Sequence, residues 1–336
     1  MKQERRAIRA GVVLILLAAV WRLGAGGVWV PVADFFQKPE VAAFLLYLGT
    51  GRVVHPEAQA QTEPTETMAV TLPTGTEPTV PERNAVIFSD EDSGLFSVYD
   101  LCGRSVDGAA LLQQPLDWEL AGSEPTVLIF HTHATESYTK SGESYEETGY
   151  YRTRDTDYNM VKVGTQLAQQ LENAGISVIH DTTLHDYPSY TGSYNHARKA
   201  VESYLAQYPS IRLVLDLHRD AALNPNGTQM ATEATVEGRD SAQLMIVAGT
   251  DASGLSHPNW RENMALAAKL HVLLEKNWAG ITRPICFRAE RFNQDLMPGM
   301  LLVEVGTAGN TLPEALTATD CLARAIIQLS HGANVE

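Results

Sequence analysis

Residues 127–136, VLIFHTHATE, decide the fold. The first four are apolar without alternation and too few for a helix. Such a run predicts a short strand covered on both faces, as the strands of parallel sheets are. It stops abruptly at two imidazoles, two threonines and a carboxylate. Polar residues crowded at the carboxyl end of a buried strand mark the rim where open α/β sheets hold their ligands.

The same grammar repeats downstream. Residues 159–173 carry apolar side chains at helical spacing, Met160, Val163, Leu167 and Leu171, and Gly175 closes that helix. Residues 176–179 predict a second strand and 193–208 a helix. A third strand follows at 213–217 (LVLDL) and a fourth at 244–248 (LMIVA). A helix is expected at 263–274, a fifth strand at 301–305 (LLVEV) and a last helix at 313–329. Strands alternating with helices predict an α/β fold with a mixed, mostly parallel sheet and helices on both faces.

Upstream the chain changes character. Lys2, Arg5, Arg6 and Arg9 precede an apolar run at 11–21 (GVVLILLAAVW); Arg22 interrupts it, and 23–30 continue weakly apolar. A basic head before an apolar segment predicts a membrane-targeting element whose basic end stays in the cytoplasm. The uninterrupted core falls short of the roughly 20 residues of a span. A retained signal anchor over 8–30, with Arg22 reaching to the interface, and a cleaved signal peptide therefore both stand. A second apolar run, 41–48 (VAAFLLYL), is too short to span, and 55–83 is a Pro-, Thr- and Glu-rich stretch with almost no large apolar residue. Such a stretch cannot offset its chain entropy by burial and reads as a disordered tether. The expected organisation is a basic end and signal anchor at 1–32, a short apolar juxtamembrane segment at 33–52, a linker at 53–84, an accessory segment at 85–124 and a catalytic domain at 125–336. The protein is thus expected at the cell membrane, single-pass, with its folded part outside the cytoplasm.

The net charge of −15 argues against nucleic acid as a partner, because that binding needs Lys and Arg to neutralise phosphates. The three cysteines, Cys102, Cys286 and Cys321, form no CxxC pair, so a thiolate zinc knuckle is excluded and buried free thiols are expected. HExxH, GxSxG, P-loop and GxGxxG motifs are all missing from the sequence.

Three predicted strand ends carry the unusual residues: 130–136 (FHTHATE), 216–220 (DLHRD) and 304–306 (EVG). Imidazoles and a carboxylate converging on one rim are what a catalytic Zn2+ site requires, with three N or O ligands and an open position for water. His133 and Glu136 form an H-x-x-E pair of the kind zinc carboxypeptidases use, and His218 supplies a third ligand. His131, two residues before His133, points to the same side of an extended backbone, so spacing does not choose between them. The one left over would contact substrate or support a ligand. Glu304 sits inside an apolar strand, where a bare charge is too costly to bury unless it is paired, protonated or functional. It reads as the general base and acid, with a salt bridge to Arg219 as the plainer alternative. Arg219 itself could hold a substrate carboxylate or a developing oxyanion. His257, before Pro258-Asn259-Trp260, is a weaker candidate for substrate contact.

The blocks VLIFHTHATESY, LDLHRDA, LMIVAGTD, HPNWREN, RFNQ and LLVEVGTAGN together resemble the stage II sporulation protein P family, over roughly 86–329. The resemblance implies a zinc-dependent peptidoglycan amidase, with endopeptidase activity also attributed to the family, acting in septal thinning and engulfment during sporulation. It implies as partners a lytic transglycosylase like stage II sporulation protein D and a membrane protein. The wider similarity is to N-acetylmuramoyl-L-alanine amidases, whose fold is akin to that of zinc carboxypeptidases. Against their pattern His133 matches the first ligand, His218 the later one and Glu304 the catalytic carboxylate. The helix-opening acidic ligand has no direct counterpart, so the middle ligand lies between Glu136 and Asp155. Asn293, in the RFNQ block, joins His131 and His257 as an expected substrate contact. Two other readings stand beside the amidase: a zinc carboxypeptidase or endopeptidase on stem peptides, and a non-catalytic wall-binding scaffold.

Overall fold

A computed structural model describes residues 86–116 and 118–331, all within one compact unit, 67–336. The expected anchor, juxtamembrane segment and linker lie outside the described residues. Among the described residues no helix is long and apolar enough to cross a membrane.

The chain builds β1 (Val98–Asp100), α1 (Gly108–Gln113), β2 (Val127–Phe130), α2 (Met160–Asn173), β3 (Val178–His180), α3 (Ser193–Gln207) and β4 (Leu213–Asp220). It continues with β5 (Glu233–Val236), β6 (Arg239–Ala242), β7 (Leu244–Ala248), α4 (Trp260–Asn277), β8 (Ile285–Phe287), β9 (Met300–Thr307) and α5 (Leu312–His331). Seven strands form one sheet in the order β1-β8-β7-β9-β4-β2-β3, and β5 and β6 form a separate hairpin. Within the seven, all pairs are parallel except β7 with β9. The sheet is therefore two parallel blocks running in opposite directions, joined at that one antiparallel seam.

Alternation along the strands divides the core. Val127 and Ile129 of β2, Leu213, Leu215 and Leu217 of β4 and Leu301, Val303 and Val305 of β9 face α1, α2, α4 and α5. Leu128, Phe130, Val214 and Met300 face α3. Helices thus cover both faces, as expected, but unequally. Over β7 and β8 the α3 face carries only a small cluster of Val247, Cys286 and Leu302, with Met245 and Phe292 against it. Leu167 of α2 is fully buried, and truncating it to Ala would cost about 2–5 kcal/mol.

The sequence pattern misses some elements. The second predicted strand, observed as β3, is shifted: Ile176 makes only an isolated bridge to Ala121, and pairing with β2 begins at Val178. Helix α4 opens at Trp260, and Asn263 lies inside it, donating to Gln294 O and accepting from Gly299 N. The accessory segment contributes β1, which is the sheet's edge strand paired with β8. All three cysteines are free, Cys286 and Cys321 buried and Cys102 half-buried.

Candidate active site

The site lies beyond the carboxyl ends of β2, β4 and β9. His218 of β4 and Glu304 of β9 are direct partners across the parallel pair, so their side chains share a face, and Asp216 joins them by the two-residue period. That face is the one packed by α3. After β2 the chain turns tightly, with Glu136 N donating to His133 O at 3.1 Å. Met160 N donates to Glu136 O at 3.0 Å, and Asn159 caps α2 by accepting from Val161 N at 2.9 Å. The turn carrying His133 and Glu136 is thereby pinned to the start of α2.

His218 lies between two carboxylates. Its Nδ1 is 3.6 Å from Glu136 Oε2 and its Nε2 is 2.9 Å from Asp216 Oδ1. The second contact is close but out of line for a hydrogen bond, so Nε2 has no hydrogen-bond partner among the described residues. Asp216 is itself fixed by Thr132, whose N and Oγ1 donate to it at 2.8 and 2.6 Å. The ring of His133 stands perpendicular to that of His218 with centroids 5.2 Å apart, stacks on Tyr190 at 4.5 Å, and places Nδ1 3.3 Å from Ser193 Oγ. Tyr194 meets both imidazoles, edge-on to His133 and stacked with His218. Glu136 accepts from Arg152 Nη2 at 3.1 Å and from the Arg219 backbone N at 3.3 Å.

These contacts set the charge states. Burial works against the charged form of His218, but Asp216 and Glu136 outweigh it and raise its pKa well above the ordinary imidazole value. Burial would raise Glu136, but Arg219 and His218 outweigh it and hold the carboxyl well below its usual range. Burial pushes His133 down to about 4, so it is a neutral imidazole at pH 7. Glu304 is pushed up to about 8 by burial, with His218 pulling the other way, and its Oε2 is buried without a partner among the described residues.

The donor set can be tested against zinc. It offers two imidazoles and a carboxylate, which is zinc chemistry, around a spot that already stabilises positive charge. Ligand atoms about 2.1 Å from a tetrahedral zinc are roughly 3.4 Å apart, near the 3.6 Å between His218 Nδ1 and Glu136 Oε2. His133 stands farther off, and among the described residues no three His, Cys, Asp or Glu side chains meet at ligand spacing. The chemistry and the Glu136–His218 pair fit the metal; closing the set requires His133 to approach.

The other residues singled out by the sequence fall elsewhere. His131 is fully buried on the far side, with Nδ1 3.1 Å from Leu217 O and Nε2 2.9 Å from His180 Nε2. Asp155 is exposed in a turn, accepting from Asp157 N at 3.1 Å, whereas Glu136 is buried 3.6 Å from His218. The guanidinium of Arg219 is turned inward, Nε to Ser137 O and Nη2 to Tyr151 O, both at 2.9 Å, with Nη1 3.6 Å from Glu136; it braces the turn and presents no free fork. Nor does it pair with Glu304. Asn293 donates to Tyr194 O at 2.8 Å and is buried, so it supports the start of α3. His257 is 2% exposed, and neither of its ring nitrogens has a partner among the described residues. The residues not foreseen are Asp216, Arg152, Tyr190 and Tyr194. Only Asp216 had a readable signal, two positions before His218 in a strand.

A sequence model of the family described as Stage II sporulation protein P (SpoIIP) matches residues 54–327. The chain is 29% identical over 216 residues to stage II sporulation protein P of Bacillus subtilis (strain 168), an alignment covering 61% of this chain and 51% of that protein. The chain thus spans about half the length of the curated relative it matches. Among solved structures it is similar to the N-acetylmuramoyl-L-alanine amidase AmiC2 of Nostoc punctiforme, at 16% identity and a TM-score of 0.35, covering 62% of this chain and 98% of that one. It is also similar to the amidase Ami1 of Mycobacterium smegmatis, at 12% identity and a TM-score of 0.39, covering 64% and 100%.

Proposed function

The chain belongs to the stage II sporulation protein P family, and on that premise we propose that it is a peptidoglycan hydrolase cleaving the amide between N-acetylmuramic acid and the L-alanine of the stem peptide. The observation that carries this reading is the register pair His218 and Glu304, an imidazole held between two carboxylates directly opposite a carboxyl group with one buried, unpartnered oxygen.

His133, Glu136 and His218 would hold a zinc ion. Bound there, zinc supplies Lewis acidity, polarising a carbonyl and making water a nucleophile near neutral pH. Every other part is the chain's own. Asp216, clamped by Thr132, orients His218. Arg152 and the Arg219 backbone fix the Glu136 carboxylate. Glu304, its pKa raised by burial and lowered again by a cation held at His218, would take the proton from the attacking water and deliver it to the departing amine of alanine, a role worth about 10² to 10⁴ in rate. Its position in a strand bonded on both sides keeps it aligned with His218 for both transfers.

Family membership supports a role in septal thinning and engulfment, alongside a lytic transglycosylase and a membrane protein. The basic head and apolar run at the N-terminus support a single membrane anchor with the hydrolase outside the cytoplasm. Mass spectrometry of purified sacculi digested with the full-length chain tests the activity. Free muramoyl ends are expected; shortened peptides alone would mean a peptidase, and an unchanged wall a binding scaffold.

A further inference from the structure

Arg219 presents no free fork, but another guanidinium at the same rim does. Arg283 lies just before β8. Because β7 runs against β9 and β8 runs with β7, the chain enters β8 at the end of the sheet where β4 and β9 leave it. Arg283 N donates to Leu244 O at 2.8 Å, and Leu244 pairs with Val305, the neighbour of Glu304. The side chain then reaches Asp220, two residues beyond His218, with Nη1 2.8 Å from Asp220 Oδ2. Its charge is felt at Glu304.

The other edge of this guanidinium is unpaired. Nε and Nη2 are shut off from water and meet no acceptor among the described residues. Buried donors without acceptors are rare, and an unpaired charged one is costly enough to call for an acceptor from outside the chain. Nε–H and Nη2–H together form the fork that receives a carboxylate through two parallel hydrogen bonds. Asp220 already holds the opposite edge, so the fork is fixed in place before any ligand arrives. The side chain as a whole is 18% exposed, so the fork lies just beneath the surface.

We infer that Arg283 receives, through Nε and Nη2, the free α-carboxylate of the second residue of the stem peptide, on the leaving-amine side of the scissile bond. The inference rests on the amidase reading and names which part of the substrate this rim holds. Spacing selects the residue. From His218 to Asp220 the strand rises about 7 Å, and two residues of an extended peptide also span about 7 Å. Beyond it, the same face of β7, β8 and β9 carries the small cluster of Val247, Cys286 and Leu302.

The test compares two ligands differing only at that carboxylate: N-acetylmuramoyl-L-alanyl-D-glutamate and its α-amide, N-acetylmuramoyl-L-alanyl-D-isoglutamine. Binding is measured by calorimetry to the full-length chain carrying Glu304→Gln, so that nothing is cleaved. The acid is expected to bind at least 10-fold tighter than the amide. Arg283→Gln should erase that preference while leaving affinity for the amide within 2-fold. Equal binding of acid and amide before the second substitution means the fork holds water only and overturns the inference, as does a preference that survives Arg283→Gln. If Arg283→Gln fails to fold, Arg283→Lys, which keeps the charge and loses the fork, is read instead, and full retention of the preference overturns it. Sacculus digestion by the unsubstituted chain reports separately on the amidase reading.

Discussion

His131 and His180 meet edge to edge, Nε2 to Nε2 at 2.9 Å. Leu217 O can only accept, so His131 donates to it from Nδ1. A neutral His131 must then accept at Nε2, and His180 must donate. Two charged rings could not share this contact, and burial keeps both neutral at pH 7, pushing His131 down to about 4 and His180 to about 3. It fixes the strand end from which His133 projects.

Gly164 of α2 lies directly over this pair. A Cβ there would stand 2.5 Å from His180 Nε2 and 2.6 Å from His131 Nε2. Gly164→Ala should therefore destabilise the fold by about 1–3 kcal/mol through overpacking, despite alanine's better helix propensity. Urea denaturation of the two proteins checks this.

The same pair sets an acid limit. Both folded pKa values lie below the ordinary 6.5, so between 6.5 and about 3 the unfolded chain binds more protons than the folded one. Stability should fall as pH drops below 6.5, by up to about 1.4 kcal/mol per pH unit for each group. His180→Gln keeps an Nε2 donor for His131 and removes one titrating group. Melting temperatures from pH 7 to 4 should show a shallower decline for that variant.

Glu304 gives the opposite slope in metal-free protein. Its folded pKa of about 8 lies above the ordinary 4.5, so in that interval the folded state keeps a proton the unfolded state has lost. Stability contributed by the protonated carboxyl is full below 4.5 and is lost as pH rises toward 8. Glu304→Gln should abolish that loss, melting like the parent at pH 4.5 and above it at pH 8. On sacculi the same substitution should cut turnover by about 10² to 10⁴.

Asp216→Asn keeps the shape beside His218 and removes the charge. Such supporting partners typically change metal affinity about 10- to 100-fold. Zinc titration of the full-length chain should weaken within that range, and chelation should stop sacculus hydrolysis until zinc is restored.

Arg219 braces the turn through Ser137 O, Tyr151 O and Glu136. Lysine cannot serve three acceptors in that arrangement. Arg219→Lys should destabilise the protein by about 1–3 kcal/mol, with the melting temperature falling before any substrate is added.

The strands at 127–130, 213–217, 244–248 and 301–305 were legible because unbroken apolar runs bounded by polar clusters leave little choice. Strand β8 was not: Ile285, Cys286 and Phe287 are too short a run to stand out from their basic and proline neighbours. The hairpin β5–β6 was hidden because its outward residues are polar and its turn is Glu237-Gly238, both with positive φ. Strand order and the antiparallel seam are tertiary facts, and Arg283 comes to the rim only through that seam. The strand-end clusters holding His131, His133, Glu136, His218 and Glu304 were readable, but spacing chose neither between His131 and His133 nor between Glu136 and Asp155. The roles of Arg219 and His131 were not readable, because a charged or polar residue at a strand end can turn toward the ligand or back into the fold, and only the neighbours decide.

Glu304 is carried by a strand zipped to β4 on one side and β7 on the other. A reactive group built into the middle of a seven-stranded sheet cannot be swung aside without tearing the sheet. On the proposed reading, any restraint would act away from that carboxyl, on the approach of His133 or on the delivery of wall to the rim.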